Sequence, residues 1–558
     1  MKNDDTKLNK FNIVLWMSIL ATVAINIIFL MRYNFEADSA FYVTLAQEQI
    51  RTCSLFPEGM HYSTGLFVLS PNLLVIPFLF LTNNLVLARQ LAILLLWIFV
   101  FIVLYKVFVT KRERNVSEFV LASSLFSIFF VDASVVSMHF YQGAYVSYLL
   151  FLLLFVAFMN KIITEKDYST NSLLYLPFLY VIANIGDIRN LLIWGLPGFI
   201  AYVLYIIVSK DDKSFKPLKI KITGDRLAWI LVESILAASV ISLVISKMYG
   251  TGDSTAETIV IAAKDFDQSF CSIVIGLFKL YGNSYEASLF SAGGIFKVLN
   301  FFVAIIMNLL IPVYALKNFN KFESGSCKFI ILFSLTSSFI YLAVTFFTGV
   351  AIAEDRYLIP IYNNNILLFA VVSSFLLKKY SKENMALGLS CVLAYVFLSN
   401  LFYFSCQKDS FVNHKFGTFA QGVEGVTGFL ENQGLQYGYA TFFNAEEYSI
   451  LSNDKVRIRG IYVDDGKIMP YNWLTSDSFY KPDFYVGKSF LMLTEDEFKE
   501  FLPQGLSRLD LGQPVEILRY KKYLVFVFDY NIASRFIKGK KVYYLIRGNK
   551  SGIYLGNE

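Results

Sequence analysis

Apolar runs of about 17–25 residues recur along the first 404 positions, each long enough to cross some 30 Å of hydrocarbon as a helix. The pattern predicts eleven spans, near 11–31, 86–109, 118–134, 143–160, 171–186, 191–209, 227–246, 295–316, 329–349, 358–377 and 386–404. The first run ends in Met31-Arg32-Tyr33 without a small-residue cleavage site, so it reads as a retained helix rather than a removed signal peptide. A further apolar stretch, Leu66 to Leu81, is short and holds Pro71 and Pro77. Two prolines break the hydrogen bonds of a spanning helix, so the expectation there is an interfacial or re-entrant helix pair.

Beyond Phe404 the pattern changes. Apolar runs shorten to five to eight residues, with charges and turn residues between them. Strand-like pieces (Tyr437–Phe442, Lys455–Ile461, Lys488–Leu493, Val515–Arg519, Tyr523–Phe528) alternate with helix-like ones (Phe416–Gln433, Asn444–Leu451, Glu495–Phe501). That alternation predicts a small α/β domain. The expected architecture is a polytopic α-helical membrane body over 1–404, with a first outer loop at about 32–85, followed by an extracytoplasmic α/β domain over 405–558.

Composition agrees: 56% of the 558 residues are hydrophobic and only 16% charged, against about 25% charged in an ordinary soluble domain. A disordered chain and a single soluble core are both excluded. Charge placement sets the orientation. With the N-terminus inside, Lys2 to Lys10, Lys106 to Arg114, Lys210 to Arg226 and Lys378 to Lys382 all fall on the cytoplasmic side, where positive residues accumulate. An odd number of spans then puts the C-terminal domain outside. The net charge of +6 comes without a basic block, so nucleic acid is a poor partner. The three histidines and five cysteines show no metal-ligand spacing, which predicts no metal site. The scattered cysteines read as small buried apolar residues.

Candidate chemistry concentrates in the outward loops. The first reads Tyr33-Asn34-Phe35-Glu36-Ala37-Asp38, followed by an amphipathic stretch from Phe41 to Arg51. These carboxylates are either part of a solvated interface or a general base held at the bilayer, a role worth about 10²–10⁴-fold in rate. Three arginines stand at membrane edges: Arg89 in LVLARQLA, Arg189 in NIGDIRNLL, and Arg356, followed by Tyr357, in AEDRYLIP. Arginine at bilayer depth costs about 2.5–3.5 kcal/mol on insertion scales and needs a partner. That partner is either a neighbouring carboxylate (Asp187, Glu354 or Asp355) or a phosphate, which guanidinium grips with a fork of donors. His139, in SMHFYQGAY, is expected neutral or positive near pH 7 and able to bond a phosphate or sugar hydroxyl, or else buried and structural. His61, opening HYSTGLF, carries the same two readings.

An acidic first outer loop, a histidine-led apolar stretch, a membrane-edge arginine before the second long span and a late RYLIP segment together resemble the GT-C glycosyltransferase superfamily. That group includes protein O-mannosyltransferases and lipid A aminoarabinose transferases. The tail segments YGYATFFNAEEYSILSNDKVRIRGIY and NWLTSDSFY are similar to the outward domain of bacterial membrane glycosyltransferases linked to surface polysaccharides. The resemblance implies a sugar donor on a polyprenyl phosphate in the outer leaflet of the plasma membrane. It implies a glycan or glycolipid acceptor and inverting transfer, with neither cofactor nor metal; no DxD signature stands in a suitable loop. It casts Asp38 as general base, with Glu36 sharing or holding that role, because this chain reads Glu36-Ala37-Asp38 where the mannosyltransferases carry adjacent acidic residues. Arg189 and Arg356 become the donor-phosphate residues, flanked by Asp187 and Tyr357, with His139, Arg89 and His61 as weaker candidates. In the outward domain, Phe442, Phe443, Trp473 and Tyr480 either stack on sugar faces or form core. The oligomeric state stays open. The rival readings are a polysaccharide polymerase or ligase, and a transporter or flippase with an accessory domain.

Overall fold

The structure, a computed structural model, describes residues 35, 37–62, 65–66, 70–110, 115–128, 132–165, 170–187, 189–210, 220–248, 260–284, 286–377, 394–395, 398, 419–464, 467–502, 510–536, 540–547 and 550–557. These fall into two compact units. One holds residues 94–244 and 260–398, the other 35–93, 245–248 and 419–557.

The elements of the first outer loop are helix α1 (Ala37–Thr52), a two-residue strand β1 (Met60–His61), helix α2 (Pro71–Leu81) and the start of the long helix α3 (Leu85–Phe108). Leu66 to Leu81 was expected to give a helix pair, but its described part forms the single helix α2. Pro71 sits at its first turn, where a missing N–H costs nothing, and only Pro77 lies inside. Eleven residues rise about 16 Å, too little to span.

The helical unit continues with α4 (Val116–Ile128), α5 (Ala144–Glu165), α6 (Thr170–Gly186), α7 (Leu196–Lys210), α8 (Ile220–Met248), α9 (Phe266–Phe278), α10 (Ala292–Ile305), α11 (Ile311–Lys317), α12 (Gly325–Thr348) and α13 (Ile359–Leu377). Among the described residues six helical stretches are long and apolar enough to cross a membrane: Leu85–Phe108, Ala144–Glu165, Leu191–Val208, Ala292–Lys317, Gly325–Thr348 and Asp355–Leu376. This is a multi-pass membrane protein. Within the expected span at 118–134, helix is described over Val116–Ile128 and again from Ala133, with the buried Asp132 outside helix; residues 129–131 lie outside the described residues. The expected spans 11–31 and 386–404 lie outside the described residues, apart from positions 394, 395 and 398. Polar side chains tie helices together, as expected where lipid supplies no hydrophobic drive between them. Asn364 on α13 donates to Ser337 Oγ on α12 at 2.8 Å, and Ser337 donates in turn to the Ile193 carbonyl at 2.6 Å. Cys327 is buried, but Cys53 and Cys271 are free and exposed, against the expectation of burial. Cys53 stands in the turn that ends α1, at φ 49°.

The C-terminal segments form α14 (Phe419–Asn432), β2 (Tyr437–Thr441), α15 (Glu446–Leu451), β3 (Arg457–Asp464), β4 (Lys467–Pro470), β5 (Thr475–Ser476), β6 (Ser489–Thr494), α16 (Glu495–Phe501), β7 (Glu516–Tyr520), β8 (Tyr523–Phe528) and a hairpin of β9 (Lys540–Arg547) with β10 (Lys550–Asn557). The main sheet has the order β4-β3-β2-β6-β8-β7, with β2 parallel to both β3 and β6 and the other pairs antiparallel. The central strands bury both faces, so they read as nearly continuous apolar runs. On one face Tyr437, Tyr439, Leu491, Leu493 and Phe526 pack with Phe479 and Phe536. On the other, Ala440, Ile458, Phe490, Met492 and Val525 pack with Val426 and Leu430 of α14 and Tyr448 of α15. A capping box of Thr494 and Glu497 starts α16. All five strand-like sequence pieces are strands here. Sequence patterning missed β4, the β9–β10 hairpin and the pairing of β1 with β5, which joins the first loop to the C-terminal segments.

Gly438, on β2, leaves no room for a side chain. A Cβ there would lie 2.4 Å from the Phe490 ring on the neighbouring strand. Gly438→Val should therefore destabilise the protein by about 1–3 kcal/mol through overpacking, read as a lower melting temperature in detergent. An unchanged melting temperature would contradict this packing.

Candidate functional site

Within the helical unit, four of the residues singled out by sequence gather around a group of tyrosines. Asp187 and Arg189 occupy the short link between α6 and the π-helical turn Leu191–Gly195 that precedes α7. Two residues apart, they close a fork. Arg189 Nε donates to Asp187 Oδ2 at 2.9 Å and to Oδ1 at 3.1 Å, while Nη2 donates to Oδ2 at 2.6 Å. The Tyr148 hydroxyl donates to the same carboxylate at 2.5 Å, and the Arg189 guanidinium lies 5.3 Å from the centre of the Tyr148 ring. Burial disfavours charge on both partners, but their mutual attraction prevails. The Asp187 carboxyl is held below its ordinary range and the Arg189 guanidinium well above its own.

Arg356 and Tyr357 stand in the turn that leads into α13. Arg356 pairs with Glu354 and lies 5.7 Å from the centre of the Tyr357 ring. Both reach the same neighbourhood: Tyr145, three residues before Tyr148 on α5, is within electrostatic range of Arg189, Asp187, Arg356 and Tyr357. Tyr341 of α12 feels Tyr145, Arg189, Tyr357 and Asp187. Next to this group, Lys279 donates to Asp355 Oδ2 at 2.9 Å. Asp132 adds a buried carboxylate that accepts the Ser134 N–H at 2.8 Å and a bond from Ser284, with Asp355 close enough to interact electrostatically. The cluster therefore carries two arginines and a lysine, each paired with a carboxylate, beside four tyrosines.

Sequence reading missed Tyr145, Tyr148, Tyr341, Lys279 and Asp132. The tyrosine pair was recoverable: spacing of three in GAYVSYLL puts both on one helix face. Asp132 was hidden inside an apolar stretch read as a span.

His139 takes no part in this arrangement. It is fully buried in a π-helical turn, its Nδ1 sits 3.0 Å from the Val135 carbonyl, and its ring also bonds Asn363. Burial pushes its imidazole down to about 4, which favours the neutral one of the two forms expected near pH 7.

The other candidates belong to the second unit. Asp38 lies in the first turn of α1, partly exposed, where a carboxylate is favoured by the helix dipole. Glu36 lies outside the described residues. Arg89, on α3, is fully buried, with its guanidinium 4.6 Å from the centre of the Tyr42 ring on α1. His61 Nε2 meets Asp477 Oδ1 at 2.5 Å, beside the β1–β5 pairing. Each contact joins a first-loop residue to another segment of this unit. Of the four aromatics, Tyr480 is core and donates to the Gly460 carbonyl. Phe442 and Trp473 pack on Met469 and Tyr471, and only Phe443 is strongly exposed, at 75%.

No protein-family profile and no curated protein sequence matches the chain. Among solved structures, the chain is similar to the crystal structure of ArnT from Cupriavidus metallidurans bound to undecaprenyl phosphate. The likeness has a TM-score of 0.41 at 12% sequence identity and covers 92% of this chain and 98% of that one.

The Asp187–Arg189 fork has a consequence for acid stability. A carboxyl held low in the folded state contributes stability at neutral pH that is lost as pH falls through its folded value, below about 3.9. Asp187→Asn should thus lower the melting temperature at pH 7 and narrow the gap between wild type and variant near pH 3. An equal gap at both pH values would contradict the shift.

Proposed function

We propose that this chain is a membrane glycosyltransferase of GT-C type, moving a sugar from a polyprenyl-phosphate donor to a cell-surface glycan or lipid-linked acceptor at the outer face of the plasma membrane. The observation that carries this reading is the arginine–tyrosine group formed by Arg189, Arg356, Tyr145, Tyr148 and Tyr357, set among membrane-crossing helices. A phosphate attached to a lipid must sit at such a depth. There a guanidinium offers paired donors, and tyrosine hydroxyls add neutral ones.

Each residue has a role in this reading. Asp38 accepts the proton of an acceptor hydroxyl. That oxygen attacks the anomeric carbon opposite the phosphate, the bond from carbon to phosphate oxygen breaks, and polyprenyl phosphate departs with the electron pair, leaving an inverted sugar. Arg356 and Arg189 stabilise the charge that grows on the leaving phosphate, where preorganised donors in a dry site are worth most. Asp187 and Tyr148 hold the Arg189 fork in one orientation, which removes the cost of arranging it during reaction. Asp132 is a second carboxylate to test, and Glu36 an alternative base. The N-terminus lies in the cytoplasm and the C-terminal α/β domain outside, on the strength of the lysine and arginine distribution.

Two measurements test the reading. Asp38→Asn should lower sugar transfer at least about 10²-fold while the protein remains inserted and folded; wild-type transfer would sink the base assignment. A cysteine placed at Lys488 should react with an impermeant thiol reagent applied to intact cells, and protection there would overturn the orientation.

A further inference from the structure

The turn after α15 holds two consecutive non-glycine residues in the left-handed region, Asn453 and Asp454, each at φ 59°. Asn and Asp tolerate this conformation better than other side chains, but a pair of them persists only where the surroundings hold it. Each side chain grips a different helix. Asn453 Oδ1 accepts the N–H of Leu85, the first residue of α3, at 2.8 Å, and its Nδ2 donates to the Asn83 carbonyl at 2.6 Å. The Leu85 N–H is one of the donors a helix start leaves without an intrahelical partner, so α3 is capped by a residue 368 positions away. Asp454 Oδ2 accepts from Gln47 Nε2 of α1 at 2.7 Å.

The other end of α15 meets the same face of α1. Thr44, one turn before Gln47, donates to Glu446 Oε2 at 3.4 Å. Arg459 Nη1 holds that carboxylate at 2.6 Å, and its guanidinium rests 3.8 Å from the centre of the Phe479 ring. The two gripped helices also touch each other through Arg89 on α3 and Tyr42 on α1. One short segment of the C-terminal domain therefore fixes both α1, which carries Asp38, and the start of α3.

We propose that the Asn453–Asp454 turn is a positioning device for the reaction: it sets the register of α1 against α3 and thereby the placement of Asp38. The proposal rests on the reading of Asp38 as the base. Asn453 and Asp454 are positioning residues, since they act through α1 and α3.

The test replaces both with glycine, Asn453→Gly with Asp454→Gly. Glycine takes φ near 59° without strain, so a turn that merely connects two segments would keep its shape, its stability and its kcat. Positioning predicts a kcat about tenfold or more lower, since misplacement by about 1 Å costs up to about 10²-fold, with the donor KM changed less than about twofold. An isosteric series supplies the rescue. Gln47→Glu sets two carboxylates against each other and should lower kcat. Adding Asp454→Asn restores a donor–acceptor pair in the reverse sense and should return most of the loss. Asp38→Asn is assayed alongside. If it is inactive while the glycine variant keeps wild-type kcat, the positioning proposal fails and the base assignment stands. If Asp38→Asn is fully active, both fail. Should the glycine variant not fold, the isosteric series decides alone, and no recovery on adding Asp454→Asn overturns the proposal.

Discussion

A guanidinium at the edge of a bilayer is unstable alone, and the Asp187–Arg189 fork is this protein's answer to that constraint. The pair sits in the link between α6 and the membrane-crossing stretch Leu191–Val208, and both partners are drawn toward the charged state by each other and by Tyr148. Elsewhere in the helical unit Arg356 pairs with Glu354, Lys279 with Asp355 and Asn364 with Ser337. Charges balanced locally can stay in an apolar setting without neutralising.

The first-loop helix α1 obeys a similar logic in the second unit. It is short and weakly amphipathic, and it is held by polar side chains from several directions. Gln49 accepts from Asn72 of α2, Tyr42 packs under Arg89 of α3, and Thr44 and Gln47 bond the carboxylates at the two ends of α15. A helix fixed this way presents its first turn, and so Asp38, in a defined place. Rigid support of this kind is what a catalytic carboxylate needs.

Much of this was legible in the sequence, for identifiable reasons. Long apolar runs report helices because a bilayer imposes length, and 86–109 or 329–349 match Leu85–Phe108 and Gly325–Thr348 closely. The tail strands were legible because apolar runs of five to eight residues between turn residues fit a sheet buried on both faces. Arg189, Asp187 and Arg356 stood out as charges at helix ends, with Tyr357 next to Arg356. What escaped was long-range or local in ways that patterns do not encode. The β1–β5 pairing is two residues long and joins Met60 to Ser476. The Asn453 cap and the Gln47–Asp454 bond join positions hundreds of residues apart. Asp132 passed unnoticed inside an apolar stretch read as a span, and for His139 the sequence left a ligand-binding and a buried structural reading open, between which pattern alone does not choose.

The central claim is that the arginine–tyrosine group receives a lipid-linked phosphate. The most direct measurement is calorimetric binding of a short-chain polyprenyl phosphate to the purified full-length protein in detergent, for wild type and for Arg356→Ala. The account predicts saturable binding to wild type that weakens about tenfold or more in the variant, as expected on losing a charge-assisted pair. Equal affinity in the two proteins, or no saturable binding to wild type, would contradict it.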